Sequence, residues 1–136
     1  MIVLLVEDTD DTRELYTFIL KGNGYTVFEA TNGKEAVDIA IQQKPDIILM
    51  DLNLPVMSGW EATRMLKNMA ETCKIPIIAV SANSLAECKD SILEAGADDC
   101  LMKPVNPQNL LDTISSYKIW IFKSKIKSLK GETLNS

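Results

Sequence analysis

Two stretches of this chain, Ile2–Val6 and Ile47–Met50, are wholly apolar and contain no residue that could turn toward water. A strand alternates its side chains between two faces, so a strand without a polar face has to be covered on both sides. That requirement points to a parallel sheet sandwiched between helices. Both stretches then finish on carboxylates, Glu7-Asp8 after the first and Asp51 after the second. A buried strand has no structural reason to end on an acid. In an open parallel sheet, the C-terminal edge is where ligands and chemistry are found.

The rest of the chain supplies the covering layers. Thr9–Asp11 is a helix start, Leu15, Phe18 and Ile19 form an i, i+3, i+4 apolar face, and Gly22 and Gly24 close that helix. Tyr25–Glu29 is a short strand, Asn32-Gly33 a turn, and Ala36, Val37, Ala40 and Ile41 mark the second helix. Asp46–Met50 is the third strand, and Ala62, Met65, Leu66 and Met69 face one way on the third helix. Ile75–Val80 ends at Ser81, and Leu85, Cys88, Ile92 and Ala95 line a fourth helix closed by Gly96. A fifth strand, Asp99–Met102, leads to Lys103-Pro104, and Pro107 opens a last helix carrying Leu110, Leu111, Ile114 and Tyr117. A strand–helix unit repeated five times predicts an α/β fold, doubly wound, with helices on both faces of the sheet.

Charge is distributed unevenly. Residues 1–117 hold 9 basic and 18 acidic residues, a net of -9, whereas residues 118–136 hold 5 Lys and 1 Glu, a net of +4. An acidic body repels a phosphate backbone, which excludes nucleic acid as a partner of the main domain. The chain has no histidine. That excludes a catalytic triad, a His metal site and phosphate carriage on histidine. Cys73, Cys88 and Cys100 are odd in number and lack CxxC spacing, which predicts free thiols in a reducing compartment. With no basic leader and an apolar start too short for a signal or a span, the expected location is cytoplasmic.

Glu7, Asp8, Asp51, Ser81 and Lys103 all follow strands and therefore project from one edge. Two carboxylates about 4 Å apart repel by roughly 4 kcal/mol at an effective dielectric of 20, so three cannot ionise together unaided. Either one takes up a proton or a divalent cation joins them. An all-oxygen set suits a hard ion such as Mg²⁺, which keeps open positions for phosphoryl oxygens. Lys103 adds a cation and Ser81 a hydroxyl donor, leaving Asp51 as the nucleophile that forms an aspartyl phosphate.

With these residues in place, the chain resembles the response-regulator receiver domains of two-component signalling. The resemblance rests on Val6-Glu7-Asp8, Met50 to Gly59 around Asp51, Val80-Ser81-Ala82, and Ala95 to Pro104, and it spans residues 1 to about 117. It implies a five-stranded, flavodoxin-like sheet in the order 2-1-3-4-5. It implies Mg²⁺ held by Asp8, Asp51 and the Asn53 carbonyl, with Glu7 acting mainly through water. Ser81 and Lys103 would meet the phosphoryl oxygens, the Lys103–Pro104 peptide would be cis, and the Asn53 and Asn83 side chains would tune hydrolysis. The implied donor is a phosphohistidine on a sensor histidine kinase or histidine phosphotransfer protein. The implied output is a protein target docked on the face of helix 4, strand 5 and helix 5. Cys100 departs from the family, which usually has Tyr or Phe there as a moving part of the switch.

The expected function is thus a single-domain response regulator, a switch in a phosphorelay and not a turnover enzyme. Two other readings compete. An aspartyl-phosphate phosphatase would want an acid two residues after the nucleophile, where this chain has Asn53. A pseudo-receiver would bind partners without phosphorylation, and only Cys100 favours it.

Residues 118–136 lie outside the repeat and are expected to form a basic extension, helical at first and then disordered. Ile119, Phe122, Ile126 and Leu129 fall at i, i+3, i+7 and i+10 among five lysines. The expectation is an extension of the last helix packed locally. No membrane partner is expected, although a basic amphipathic helix is the one feature that points toward an anionic surface.

Overall fold

The computed structural model describes residues 1–130. Five parallel strands, β1 (Ile2–Val6), β2 (Thr26–Ala30), β3 (Ile47–Asp51), β4 (Ile77–Ser81) and β5 (Asp99–Met102), form one sheet in the order 2-1-3-4-5. Helices α1 (Asp10–Gly22), α2 (Gly33–Gln43), α3 (Gly59–Lys67), α4 (Leu85–Asp90) and α5 (Pro107–Leu129) alternate with them. The expected doubly wound, flavodoxin-like architecture is present.

Strand alternation divides the core into two layers. Val3, Leu5, Ile47, Leu49, Ile78 and Val80 pack with Tyr16, Leu20, Leu110 and Ile114 of α1 and α5. Leu4, Val6, Ile48, Met50 and Ile77 pack with Ala36, Val37, Ala40, Ala62 and Leu66 of α2 and α3. Every residue of β3 is buried, as its unbroken apolar run requires. Side-chain caps start three helices at a shared pattern: Asn32, Ser58 and Ser84 accept from the amides of Glu35, Glu61 and Glu87. Thr9 makes no such bond, its own amide donating instead to Glu7.

Four expectations need correction. On α1, Leu15 and Phe18 are 54% and 79% exposed, and the buried pair is Tyr16 and Leu20. The long ring of Tyr16 lies one helical turn before Leu20 and fills the space above the sheet, so the packed face centres on those two. On the fourth helix, α4 passes at Ser91–Ala95 into a π-helical turn. The buried positions are Cys88, Ser91 and Ala95, spaced three and four apart, with the Ser91 hydroxyl donating to the Cys88 carbonyl at 2.6 Å, and Ile92, expected on the packed face, is 40% exposed.

The cysteines are not all free. Cys88 on α4 and Cys100 on β5 are joined in a disulfide with their Cα atoms 5.5 Å apart, and only Cys73 remains a thiol. Pairing arises from tertiary packing of α4 on β5, which cysteine spacing in the sequence cannot reveal. Lastly, α5 continues past Tyr117 to Leu129, the expected extension of the last helix, but the stripe expected to pack locally is largely exposed. The physical reason is that Ile121, on another side of the helix, takes the place against the core. The expected disordered end, Gly131–Ser136, lies outside the described residues.

Candidate functional site

Register brings the sequence candidates together. Val6 lies beside Met50, Asp51 beside Val80 and Ser81 beside Met102, so Glu7, Asp51, Ser81 and Lys103 leave the sheet within one step of each other. Glu7 and Asp51 are 2% and 3% exposed, an unusual burial for carboxylates, and Asp8 is exposed at the rim.

Lys103 answers the two buried acids. Its Nζ lies 2.7 Å from Glu7 Oε1 and 2.9 Å from Asp51 Oδ2. Burial works against the ammonium, but the hydrogen bonds it donates to Glu7 and Asp51 outweigh it and hold the Lys103 pKa above the ordinary lysine value. The Lys103 amide donates to the Ser81 carbonyl at 2.7 Å, and the Lys103–Pro104 peptide is cis. The remaining Asp51 oxygen, Oδ1, accepts from the Asn53 amide at 3.0 Å, while Glu7 Oε2 accepts from the Thr9 amide at 3.1 Å. These bonds orient both carboxylates.

Packing of α3 fixes where Asp51 stands. A Cβ on Gly59 would overlap the Asp51 carbonyl oxygen and come within 2.7 Å of Leu52 Cα. Only glycine lets α3 start this close to the end of β3. In the intervening loop Val56 adopts φ 67°, a left-handed conformation that a β-branched residue resists, and it is exposed.

Carboxylate oxygens of Glu7, Asp8 and Asp51 all lie within 4.8 Å of one another. Three acids face one ammonium, with neither nitrogen nor sulfur among the donors. This set fits a hard divalent cation of the Mg²⁺ kind, which would offset the surplus negative charge.

Ser81 is bonded to α4 and not to the acidic trio. Its hydroxyl donates to Glu87 Oε1 at 2.7 Å and accepts from the Asn83 amide at 3.2 Å. Glu87 Oε2 accepts from Asn83 Nδ2 at 2.7 Å, so one carboxylate of α4 grips both residues after β4. Glu87 was not among the sequence candidates. The Ser84-x-x-Glu87 spacing reads as a capping box, in which the Glu would reach back to the Ser84 amide. The structure keeps the serine half of the box and sends the glutamate to Ser81 and Asn83.

Comparison with known proteins matches residues 3–115 to the response regulator receiver domain. The polar-differentiation response regulator DivK of Brucella anthropi is 36% identical over 115 residues, covering 85% of this chain and 94% of the relative. The chemotaxis protein CheY4 of Vibrio cholerae superposes with a TM-score of 0.79 at 32% identity, over 85% of this chain and 96% of that one. The receiver domain of the sensor histidine kinase PA1611 of Pseudomonas aeruginosa gives a TM-score of 0.79 at 36% identity, covering 88% and 96%. That receiver was solved with a magnesium ion coordinated in its active-site cleft.

Proposed function

The chain belongs to the response regulator receiver family of two-component signalling, and on that premise we propose that it is a phosphorylation-controlled switch with Asp51 as acceptor. One observation carries the proposal: a buried Asp51 clamped by Lys103 beside Glu7, with Asp8 completing an acidic trio at the C-terminal edge of the sheet.

A phosphohistidine of a sensor histidine kinase or phosphotransfer protein is the donor. An Asp51 carboxylate oxygen forms a bond to phosphorus as the bond from phosphorus to the imidazole nitrogen breaks. The electron pair of that bond leaves with the histidine, which takes up a proton. Lys103, already on Asp51, stays within reach of the new phosphoryl oxygens and offsets their charge. Asp8, Asp51 and the Asn53 carbonyl would hold Mg²⁺, with Glu7 acting through water. When bound, the ion draws charge from the phosphoryl oxygens and offsets repulsion from the acids. Ser81 and Asn83 are held back by Glu87, so the hydroxyl has to leave that carboxylate to meet the phosphoryl group. The exchange couples chemistry at β4 to the position of α4.

The chain then acts as a switch and not as a turnover enzyme, in the cytoplasm where such kinases present their phosphohistidine; the Cys88–Cys100 link removes free thiols as a ground for that location. Residues 1–117 form the receiver and residues 118–136 a basic extension. The target docks on α4, β5 and α5, where the exposed Leu85 and Ile92 flank the Cys88–Cys100 link. Incubation with Mg²⁺ and a small-molecule phosphodonor should add one phosphoryl group, lost in Asp51→Asn. Undiminished labelling of that variant would overturn the assignment.

A phosphorylation-independent interaction module is the second reading. Cys100, tied to α4 at the position where the receiver resemblance implies a mobile aromatic, is the observation on its side. Under that reading, beryllofluoride with Mg²⁺ leaves the amide chemical shifts of residues 82–102 unmoved.

A further inference from the structure

The distal part of α5 has two distinct sides. The inner one is fastened to the body: Ile121 is buried with Val3 and Tyr16, and Lys125 pairs with Asp46 at 2.6 Å. The ammonium of Lys118 lies 5.4 Å from the centre of the Tyr25 ring. Helical geometry then turns Ile119, Phe122, Ile126 and Leu129 onto a separate face. Ile119, Phe122 and Leu129 are 66%, 65% and 89% exposed. At about 100° per residue, Lys123, Lys127 and Lys130 border one side of this stripe, with Lys118 and Lys125 bordering the other. No acid occurs between Asp112 and Lys130.

We propose that this face binds an anionic lipid surface, the stripe entering the interface while Lys123, Lys127 and Lys130 meet headgroup phosphates. The sequence expectation of no membrane partner assumed that the stripe packs against the body, and it does not. A second copy is a poor occupant, because stripe-to-stripe contact would set lysine rows against lysine rows. An acidic protein would need directional partners, and the stripe offers no polar group beyond its bordering ammoniums. A headgroup layer asks only for apolar side chains with flanking cations that can snorkel. No helix among the described residues is long and apolar enough to cross a membrane, so the attachment is peripheral.

The rest of the molecule accommodates that orientation. Distal α5 packs beside Met1 and Asp46, at the N-terminal edge of the sheet. Glu7, Asp8 and Asp51 lie at the C-terminal edge, so docking by the tail keeps these acids away from the lipid and the phosphoryl site open.

The test is co-sedimentation of the full chain with phosphatidylcholine vesicles, with and without phosphatidylglycerol. Binding should require the anionic lipid and weaken as salt rises. Lys123→Glu/Lys127→Glu/Lys130→Glu should lower the partition coefficient more than tenfold, since each lysine near an anionic surface is worth about fivefold. Phe122→Ser should lower it about tenfold with the lysines intact. Both variants should keep wild-type circular dichroism and Asp51 labelling, which separates lost docking from lost folding. Equal binding to neutral vesicles, or none to anionic ones, overturns the proposal. So does binding indifferent to Phe122→Ser, which would be adsorption by charge alone, or self-association abolished by Phe122→Ser without vesicle binding.

Discussion

Lys103 Nζ lies 2.9 Å from Asp51 Oδ2, and the same nitrogen also reaches Glu7. One ammonium therefore serves two buried carboxylates. Replacing it, as in Lys103→Met, leaves like charges facing each other with no counter-charge from the protein. Without divalent ions the variant should lose about 2–3 kcal/mol, below the usual cost of breaking a buried pair because Lys103 is 22% exposed. Added Mg²⁺ should raise its melting temperature more than that of the wild type, since the site has become more negative. Equal thermal shifts on Mg²⁺ titration would show that Lys103 does not compete with the cation.

Glu87 holds Ser81 and Asn83 in the unphosphorylated arrangement. Glu87→Ala removes the acceptor that the Ser81 hydroxyl would have to leave. A net hydrogen bond of about 0.7–1.4 kcal/mol corresponds to about a threefold to tenfold gain in beryllofluoride affinity or in labelling rate at Asp51. Ser81→Ala in the same background should remove the gain. Slower labelling in Glu87→Ala would mean that the carboxylate presents Ser81 to the site and does not withhold it.

The Cys88–Cys100 link closes a loop across α4 and β5 with a sequence separation of 12. Chain-entropy arguments give it about 2–3 kcal/mol. Reductant should lower the denaturant midpoint of the wild type and leave Cys88→Ser/Cys100→Ser unaffected. Under native, non-reducing conditions an alkylating reagent should modify Cys73 alone. Modification of all three positions would show that the bond does not form in solution.

Sequence and structure agree most where a residue's fate depends on local constraints. The apolar runs at β1 and β3 leave no polar face, so the sheet and the placing of Glu7, Asp8 and Asp51 at its edge follow directly. Strand identity likewise puts Lys103 after β5. The misplaced features all depend on packing between elements. Phe18 is apolar and correctly spaced, yet the larger demand of Tyr16 and Leu20 decides which way α1 turns. Ser91, a polar residue, takes the buried place beside Cys88 and Ala95 because its hydroxyl is satisfied by the Cys88 carbonyl, and Ile92 is left 40% exposed. Glu87 carries a capping pattern and is diverted by two nearby donors, Ser81 and Asn83.

Distal α5 and the acidic trio stand at opposite ends of the strands, and that separation makes the molecule an electric dipole. Before any contact forms, the field of a negatively charged surface or protein exerts a torque that brings the lysine end round first. A phosphoryl group on Asp51 would add about -1.5 to -2 charges at the far pole. The torque would then grow with no atom of α5 having moved, so phosphorylation at Asp51 would alter the angle and frequency of encounters.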